Sequence, residues 1–211
     1  MQILVTGGAG YIGSHMAQRL KREGHVPVVI DNLSTGHREF VRFGPFVEGD
    51  LCDETLVRDT LRRNRIDAVI HFAAKALVTE SMLVPEQYFA NNVGATVSLL
   101  SAMKAEGVRR LVFSSSCAVY GNAQEDLIDE AHPKHPVNPY GLSKLHCEQV
   151  TDAIGASFGL HAAFLRYFNV IGADESGELW EWHEPESHVV PNLLKAARAG
   201  RPFQLMGIDY P

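Results

Sequence analysis

A glycine-rich segment near the N-terminus constrains the fold more than any other feature of this 211-residue chain. An apolar run at residues 2–6 leads into Gly7, Gly8, Gly10 and Gly13, and a helical pattern follows. Glycines at these spacings allow a tight turn from a strand into a helix, with the two elements packed closely together. The start of such a helix presents backbone N–H groups and a favourable dipole to a phosphate. The sequence therefore predicts a strand–turn–helix unit that binds the pyrophosphate of a dinucleotide.

Short apolar runs alternate with longer helical patterns along most of the chain. Predicted strands span residues 2–6, 26–31, 45–48, 67–72, 109–115 and 161–168, and predicted helices span residues 11–23, 53–64, 85–106 and 139–158. Parallel strands need long crossover connections, and helices supply them on both faces of the sheet. We therefore predict an α/β fold, a Rossmann-type doubly wound parallel sheet with helices on both faces.

The pattern changes near residue 168. A polar loop, an amphipathic helix and a short apolar run follow, at residues 172–187, 188–199 and 203–206. We predict that residues 1–168 form the dinucleotide-binding domain and that residues 169–211 form the start of a smaller, C-terminal substrate domain.

Charge composition excludes two classes of partner. The chain has 25 acidic and 19 basic side chains, which gives a formal net charge of −6. An acidic chain has no overall field that attracts nucleic-acid phosphates or anionic lipids, so neither nucleic acid nor a membrane is an expected partner. The one basic cluster, Arg62, Arg63 and Arg65, lies at a predicted helix end, where cations suit the helix dipole.

The cysteines and histidines do not predict a disulfide framework or a metal site. Cys52, Cys117 and Cys147 form no CxxC pair, which favours a reducing, cytoplasmic setting. The apolar start of the chain predicts a strand rather than a signal peptide, and no run approaches the roughly 20 apolar residues of a membrane span. His132 and His135 lack a third ligand nearby, so we interpret them as loop residues and expect no bound metal.

A carboxylate at the end of the second predicted strand indicates which dinucleotide binds. Asp31 stands 18 residues beyond Gly13, where an acidic side chain accepts hydrogen bonds from the adenosine ribose. Because this carboxylate would repel a 2′-phosphate, the predicted cofactor is NAD rather than NADP. The alternative interpretation is that Asp31 caps a turn between the strand and the next loop.

Serines at a strand end and a Tyr–Lys pair predict a proton-transfer site. Ser114–Ser116 end the fifth predicted strand, and Tyr140 and Lys144 stand four apart on one face of a predicted helix. A tyrosine with an ordinary pKa near 10 needs a lowering worth about 4 kcal/mol to act as a base near pH 7. An ammonium about 4 Å away supplies that order of energy at an effective dielectric constant of about 20. The alternatives are a merely polar strand end and a surface Tyr–Lys pair.

These motifs, taken together, resemble a known superfamily. Residues 6–13, residues 114–121 (SSSCAVYG) and the YxxxK of residues 140–144 resemble the extended short-chain dehydrogenase/reductases. Within that superfamily, further segments resemble the UDP-glucose 4-epimerase (UDP-galactose 4-epimerase) family: residues 31–34 (DNLS), 49–50 (GD), 71–74 (HFAA), 91–93 (NNV) and 166–169 (RYFN). The resemblance runs over essentially the whole chain.

The resemblance implies roles for individual residues. Tyr140 would be the catalytic base, Lys144 would bind the nicotinamide ribose and lower the pKa of Tyr140, and Ser116 would assist proton transfer. The implied contacts with NAD are Gly7, Gly10, Tyr11, Ile12, Gly13, Asp31, Asn32, Asp50, Leu51, Phe72, Ala73, Ala74, Asn91, Ser114, Tyr140, Lys144, Tyr167 and Phe168. The implied contacts with the substrate are Ser116, Tyr140, Asn169, His188, Val189, Leu205 and Met206.

The implied reaction interconverts UDP-glucose and UDP-galactose. Tightly bound NAD oxidises C4 to a 4-keto sugar, which turns over and is reduced on its other face. One alternative is 4-epimerisation of another nucleotide sugar, either UDP-xylose/UDP-arabinose or a UDP-N-acetylhexosamine, and a second is a truncated, non-catalytic NAD-binding protein. A dehydratase is disfavoured, because Cys117 and Ala118 stand where that branch carries an Asp–Glu pair.

The chain departs from the family pattern at two places. Lys75 directly follows Ala74, one position before the phosphate-binding lysine of many relatives. Family members also continue well past Pro211, so we expect the substrate domain to be truncated here. The resemblance further implies a homodimer in which the predicted helices 85–106 and 139–158 pair across a two-fold axis.

Overall fold

The apolar run at the start of the chain forms the centre of a parallel sheet. In the computed structural model, which describes residues 1–184, 186–204 and 207, six strands form this sheet in the order β3-β2-β1-β4-β5-β6. They are β1 (Gln2–Thr6), β2 (Val26–Asp31), β3 (Phe46–Glu48), β4 (Ala68–His71), β5 (Arg110–Ser116) and β6 (His161–Tyr167). Every neighbouring pair is parallel. The predicted Rossmann-type, doubly wound sheet is therefore confirmed.

Helices connect the strands. They are α1 (Tyr11–Arg22), α2 (Glu54–Arg63), α3 (Val78–Leu83), α4 (Pro85–Tyr88), α5 (Ala95–Glu106), α6 (Pro139–Ala156) and α7 (Val189–Arg198), with short 3₁₀ turns at Arg38–Phe40 and Cys117–Val119. Capping residues explain several of the boundaries. The carboxylate of Asp53 accepts a hydrogen bond from Leu56 at the start of α2, and Gly107 ends α5 in the left-handed conformation.

The prediction of one uninterrupted α-helix over residues 85–106 is wrong. One turn of π-helix (Phe89–Gly94) separates α4 from α5, and the unpredicted helix α3 precedes them. A π-turn adds one residue to a helix that otherwise continues. Hydrophobic periodicity therefore does not reveal it. Turns of this kind are frequent at functional sites.

Side chains of β1 alternate between two apolar layers. Leu4 packs in the larger layer with residues of α5 such as Leu99 and Met103. Ile3 and Val5 face the other side of the sheet. Since both faces are buried, the strand is apolar at successive positions rather than at every second one.

The chain divides into two compact units, Met1–Val170 and Ile171–Pro211. The first contains the sheet. The second contains α7 and an antiparallel bridge between Ala173 and Trp180, beside which the rings of Trp180 and Trp182 stack with their centroids 6.0 Å apart. All three cysteines of the chain are free thiols. Among the helices in the part of the chain that the structure describes, none is long and apolar enough to cross a membrane.

Candidate active site

The carboxyl end of β1 lies where the direction of the sheet reverses. From β1 the chain proceeds to β2 and β3 on one side, then crosses to β4, β5 and β6 on the other. Loops that leave the sheet in opposite directions open a crevice at this point, and ligands of doubly wound folds bind there. The glycine-rich segment follows β1 directly, so the sequence places it at this crevice.

The glycine turn accepts no larger residue at its two tightest positions. Gly7 has a φ of +67°, and a Cβ atom on it would lie 2.6 Å from the backbone nitrogen of Ala73. A Cβ atom on Gly13 would lie 2.2 Å from the carbonyl oxygen of Gly7. Gly10 is the N-cap of α1 and offers no side-chain acceptor to the first N–H groups of the helix. This backbone is suited to an anion such as a pyrophosphate.

Asp31 joins the glycine turn to the loop after β2. Its carboxylate accepts hydrogen bonds from the backbone N–H of Ala9 at 3.0 Å and of Leu33 at 2.8 Å. Burial raises the pKa of Asp31, and these two hydrogen bonds oppose the rise. The bond to Leu33 is the turn-capping contact of the alternative interpretation, whereas the bond to Ala9 ties the carboxylate to the predicted nucleotide site.

The other residues expected on the adenosine side lie beside Asp31. Asn32 donates a hydrogen bond to Asp50 at 2.9 Å, and the N–H of Cys52 donates to the same carboxylate at 2.8 Å. These bonds lower the pKa of Asp50, and the bond from Cys52 has the largest effect. Leu51 packs into the core, and its carbonyl oxygen accepts a hydrogen bond from Ser98 at 2.6 Å.

The end of β4 is tied to the end of β1. The N–H of Phe72 donates to the carbonyl of Thr6 at 3.1 Å, and the N–H of Ala73 donates to the Thr6 hydroxyl at 3.3 Å. That hydroxyl also lies 2.6 Å from Nδ1 of the buried His71, whose Nε2 is 3.3 Å from the hydroxyl of Thr96. Burial lowers the pKa of His71 to about 3, so this imidazole is neutral. Phe72, Ala73 and Ala74 thus follow β4 beside the glycine turn.

Lys75 has partners other than a phosphate. Its ammonium lies 3.4 Å from the carboxylate of Glu80, which also accepts a hydrogen bond from the Tyr88 hydroxyl at 2.6 Å. Its backbone N–H donates to Asn92 at 2.8 Å.

The structure brings the Tyr–Lys pair and the strand-end serines together. Asn138 caps the start of α6, so that Tyr140 lies in its first turn. The Ser116 hydroxyl lies close enough to Tyr140 to favour its ionised form, an effect that lowers the pKa of Tyr140. One turn further along α6, the buried ammonium of Lys144 donates to the carbonyl oxygen of Ser114 at 2.9 Å. The arrangement places two hydroxyl groups and one cation at the end of β5.

The electrostatics of this pair differ from the sequence-based expectation. Burial raises the pKa of Tyr140, and the nearby Ser116 side chain opposes the rise. The sequence instead predicts a lowered pKa for Tyr140, caused by the charge of Lys144. Burial lowers the pKa of Lys144 to about 8. The difference arises because both side chains are withdrawn from water, which penalises the charged form of each.

The π-helical turn connects the Lys75 loop to the helix of the Tyr–Lys pair. Asn91 donates to the Asn92 side chain at 3.0 Å. The buried amide of Asn92 donates to the carbonyl of Lys75 at 3.1 Å and to the hydroxyl of Ser143 at 3.0 Å. Ser143 in turn donates to the carbonyl of Tyr140 at 2.7 Å. Sequence reasoning identified Asn91 but missed Asn92 and Ser143, because local pattern does not predict the π-turn in which the buried Asn92 lies.

A buried ion pair behind the serines was also missed. Glu148 lies one helical turn beyond Lys144 and accepts hydrogen bonds from Ser115 at 2.6 Å and from Arg166 at 2.8 and 2.9 Å. Burial raises the pKa of Glu148, but these bonds outweigh it and the net shift is downward. The spacing of four residues between Lys144 and Glu148 predicts that both lie on one face of the helix, but it does not indicate that Glu148 pairs with Arg166.

The other residues predicted to contact NAD or the substrate are divided between the two units. Tyr167 pairs in register with Ser116 and is half-buried, while Phe168 and Asn169 are exposed. His188 and Val189 belong to the second unit, at the start of α7. Leu205 and Met206 lie outside the described residues.

A family model for NAD dependent epimerases and dehydratases matches residues 3–209. The chain belongs to the NAD dependent epimerase/dehydratase family. The match covers nearly the whole chain, and it confirms the resemblance inferred from the sequence motifs.

Individual members of the NAD dependent epimerase/dehydratase family are similar over most of this chain. A UDP-glucose 4-epimerase from Rhizobium meliloti is 47% identical over 99% of the chain and 64% of the relative. The crystal structure of UDP-glucose 4-epimerase from Brucella ovis in complex with NAD has a TM-score of 0.92 and 47% identity, over 94% of this chain and 61% of that one. The Bifidobacterium longum enzyme in complex with NAD+ and UDP has a TM-score of 0.82 and 37% identity, over 86% and 57%. The chain thus spans less than two thirds of the length of these relatives.

Proposed function

We propose that this chain carries the NAD-binding and proton-transfer parts of a UDP-glucose 4-epimerase, an isomerase that interconverts UDP-glucose and UDP-galactose. The observation that carries the proposal is the convergence of Ser116, Tyr140 and the buried Lys144 at the end of β5, where Lys144 donates to the carbonyl oxygen of Ser114 at 2.9 Å. The names and identities of the relatives support the same reaction.

The cofactor of this proposal is NAD. The glycine turn fits the group, because Cβ atoms on Gly7 or Gly13 would collide with the backbone that shapes the turn. Gly7, Gly10 and Gly13 would hold the pyrophosphate at the start of α1, and Asp31 would accept hydrogen bonds from the adenosine ribose. When bound, NAD would accept hydride from C4 of the sugar and return it to the opposite face of the 4-keto sugar.

The side chains of the chain itself would handle the proton. Tyr140 would take the proton from the C4 hydroxyl during oxidation and give it back during reduction, and Ser116 would hydrogen-bond the same oxygen. The ammonium of Lys144 would favour the tyrosinate electrostatically and so oppose the effect of burial. Asn169 would contact the UDP moiety.

Replacement of Tyr140 tests this assignment. Tyr140→Phe should lower the rate of UDP-galactose conversion by about 10²- to 10⁴-fold, the range for loss of general acid–base catalysis. Retained NAD, measured after denaturation, should be unchanged. The control is Leu127→Ala, which alters an exposed loop side chain.

Three results would overturn parts of the proposal. Wild-type activity in Tyr140→Phe would remove the proton-transfer role. NAD that stays fully oxidised on addition of any UDP-sugar would indicate a non-catalytic NAD-binding protein. Turnover only of UDP-xylose, UDP-arabinose or a UDP-N-acetylhexosamine would assign a different sugar.

We also propose that residues 169–211 begin the substrate domain of a cytoplasmic homodimer. Free cysteines agree with a reducing compartment. Exposed apolar side chains on α3, α5 and α6, namely Met82, Leu83, Val97 and Leu142, support association through this part of the chain. Light scattering should report twice the 23.3 kDa mass of the chain, and a monomeric mass at micromolar concentration would refute the dimer.

A further inference from the structure

Four metal-ligating side chains of the second unit converge on one point. Glu181, His183, Glu186 and His188 each direct one ligand atom toward the others, and these four atoms lie within 4.8 Å of one another. These four residues lie outside regular secondary structure, and His188 is the N-cap of α7.

The spacing of these atoms approaches that of ligands around one small cation. Zn²⁺ binds His nitrogen and carboxylate oxygen at about 2.1 Å, so two ligands at the corners of a tetrahedron lie about 3.4 Å apart. Nδ1 of His183 is 3.3 Å from Oε1 of Glu186 and 3.7 Å from Oε1 of Glu181. The widest pair, at no more than 4.8 Å, must close by roughly 1.4 Å, which is within reach of side-chain rotation.

Burial of the carboxylates adds a second argument. The side chains of Glu181 and Glu186 are only 6% and 5% exposed, whereas carboxylates in folded proteins are usually solvated. Removing a carboxylate from water is costly unless a cation or several donors face it. Nδ1 of His188 contacts Glu181, and the N–H of His188 donates to Glu186 at 3.0 Å. A divalent cation would neutralise both carboxylates at once.

We propose that Glu181, His183, Glu186 and His188 bind one divalent transition-metal ion, with Zn²⁺ as the best match to two imidazole nitrogens and two carboxylate oxygens. The four ligands leave no open position in a tetrahedral site, so the ion is structural. It fixes the segment before α7 and thereby the start of that helix.

The sequence holds the signal, which was missed. A Glu and a His stand two residues apart at Glu181–His183 and again at Glu186–His188. In extended backbone, residues two apart face the same side, so each pair is able to present two ligands together. Sequence reasoning considered His132 and His135, which are closer in the chain, and therefore predicted no metal. His188 is also an expected substrate contact. Within the cluster, its Nδ1 contacts Glu181.

Metal content of the intact chain tests the proposal. The chain is purified with a tag that contains no histidine, stripped with a chelator, supplied with ZnCl₂ and passed through gel filtration before elemental analysis. About one equivalent of zinc should remain per chain. Replacement by Co²⁺ should produce the intense visible absorption of a tetrahedral site.

Paired variants separate this site from adventitious binding. His183→Asn and Glu186→Gln should each weaken zinc binding by at least about tenfold in competition with a chromogenic chelator. The controls His161→Asn and Glu175→Gln alter exposed residues of the same two types outside the cluster and should bind zinc like the wild type. Retained NAD is measured in the same samples, so that failure of the metal site is distinguishable from failure of the proposed function.

Two outcomes overturn the proposal. Less than about a tenth of an equivalent of zinc in the wild type would show that the cluster is a set of His–Glu hydrogen bonds without a metal. Equal zinc affinity in the wild type and in both cluster variants would place any bound zinc elsewhere.

Discussion

Arg166 binds Glu148 through two parallel hydrogen bonds of 2.9 and 2.8 Å, made by Nε and Nη2. The pair joins β6 to α6 directly behind Ser115, whose hydroxyl donates to the same carboxylate at 2.6 Å. Arg166 also donates to the Tyr120 hydroxyl at 2.8 Å. Through these bonds the pair sets the spacing between the strand that ends in Ser116 and the helix that carries the Tyr–Lys pair.

Removal of the Glu148 charge should destabilise the protein strongly. The side chains of Arg166 and Glu148 are only 14% and 4% exposed, so Glu148→Gln leaves a largely buried cation without its partner. Loss of one member of a buried pair costs about 3–5 kcal/mol of unfolding free energy, measurable by urea denaturation.

Matched variants show whether burial is the cause. Glu23→Gln breaks the pair with Arg19, whose members are 54% and 71% exposed, and should change the unfolding free energy by less than about 1 kcal/mol. Replacing both Glu148 and Arg166 by Met should recover part of the loss, since no charge is left buried. Equal effects of Glu148→Gln and Glu23→Gln would contradict the structural role of the buried pair.

Gly13→Ala should abolish NAD retention. The added Cβ atom would lie 2.2 Å from the carbonyl oxygen of Gly7, so the turn must open. The measurement is the amount of NAD released on denaturation of purified protein. Gly94→Ala is the control, because a Cβ atom there meets nothing within 4 Å, and it should retain NAD fully. Normal NAD content in Gly13→Ala would exclude the glycine turn as the pyrophosphate site.

Asp31→Asn should shift cofactor preference from NAD toward NADP. The substitution removes the charge that repels a 2′-phosphate and retains an oxygen that accepts a hydrogen bond from Ala9 or Leu33. The ratio of the two affinities should change by at least about tenfold, or 1.4 kcal/mol, in titrations of the cofactor-free protein. Glu54→Gln, which neutralises an exposed carboxylate, should leave the ratio unchanged. An unchanged ratio in Asp31→Asn would leave Asp31 only its turn-capping role.

The stabilising contribution of His71 should fall in acid. Its pKa is about 3 in the folded chain, below the ordinary value near 6.5, so between these values the unfolded chain binds more protons. Stability is therefore fully present above pH 6.5 and is lost as the pH falls. Relative to His71→Gln, the wild type should lose about 2 kcal/mol of unfolding free energy between pH 7 and pH 5. Parallel pH profiles of the two proteins would show that His71 is not buried in its neutral form.

Much of the fold follows from local pattern. Short apolar runs predict the strands, the longer patterns between them predict most helices, and the glycines after residue 6 predict the turn. The spacing of Tyr140 and Lys144 on one helix predicts that their side chains share a face, because helical geometry sets that relation without reference to the rest of the chain. The strand-end position of Ser116 follows in the same way from the apolar run before it.

Other features depend on how distant elements pack. The sequence contains Glu148 and Arg166 but does not show that α6 and β6 bring them together. Local pattern did not predict the π-turn that contains the buried Asn92, or the contacts that bring Glu181 and His188 together. Burial, which raises the pKa of Tyr140 and lowers that of Lys144, is likewise a property of the packed chain.

The sequence by itself therefore determined most of the elements that form and predicted the residues of the proposed chemistry, because periodicity and turn chemistry act over a few neighbouring residues. Only the tertiary structure decided which charges meet and which are withdrawn from water. Both depend on desolvation and on contacts between residues far apart in the chain, and a linear pattern does not encode either one.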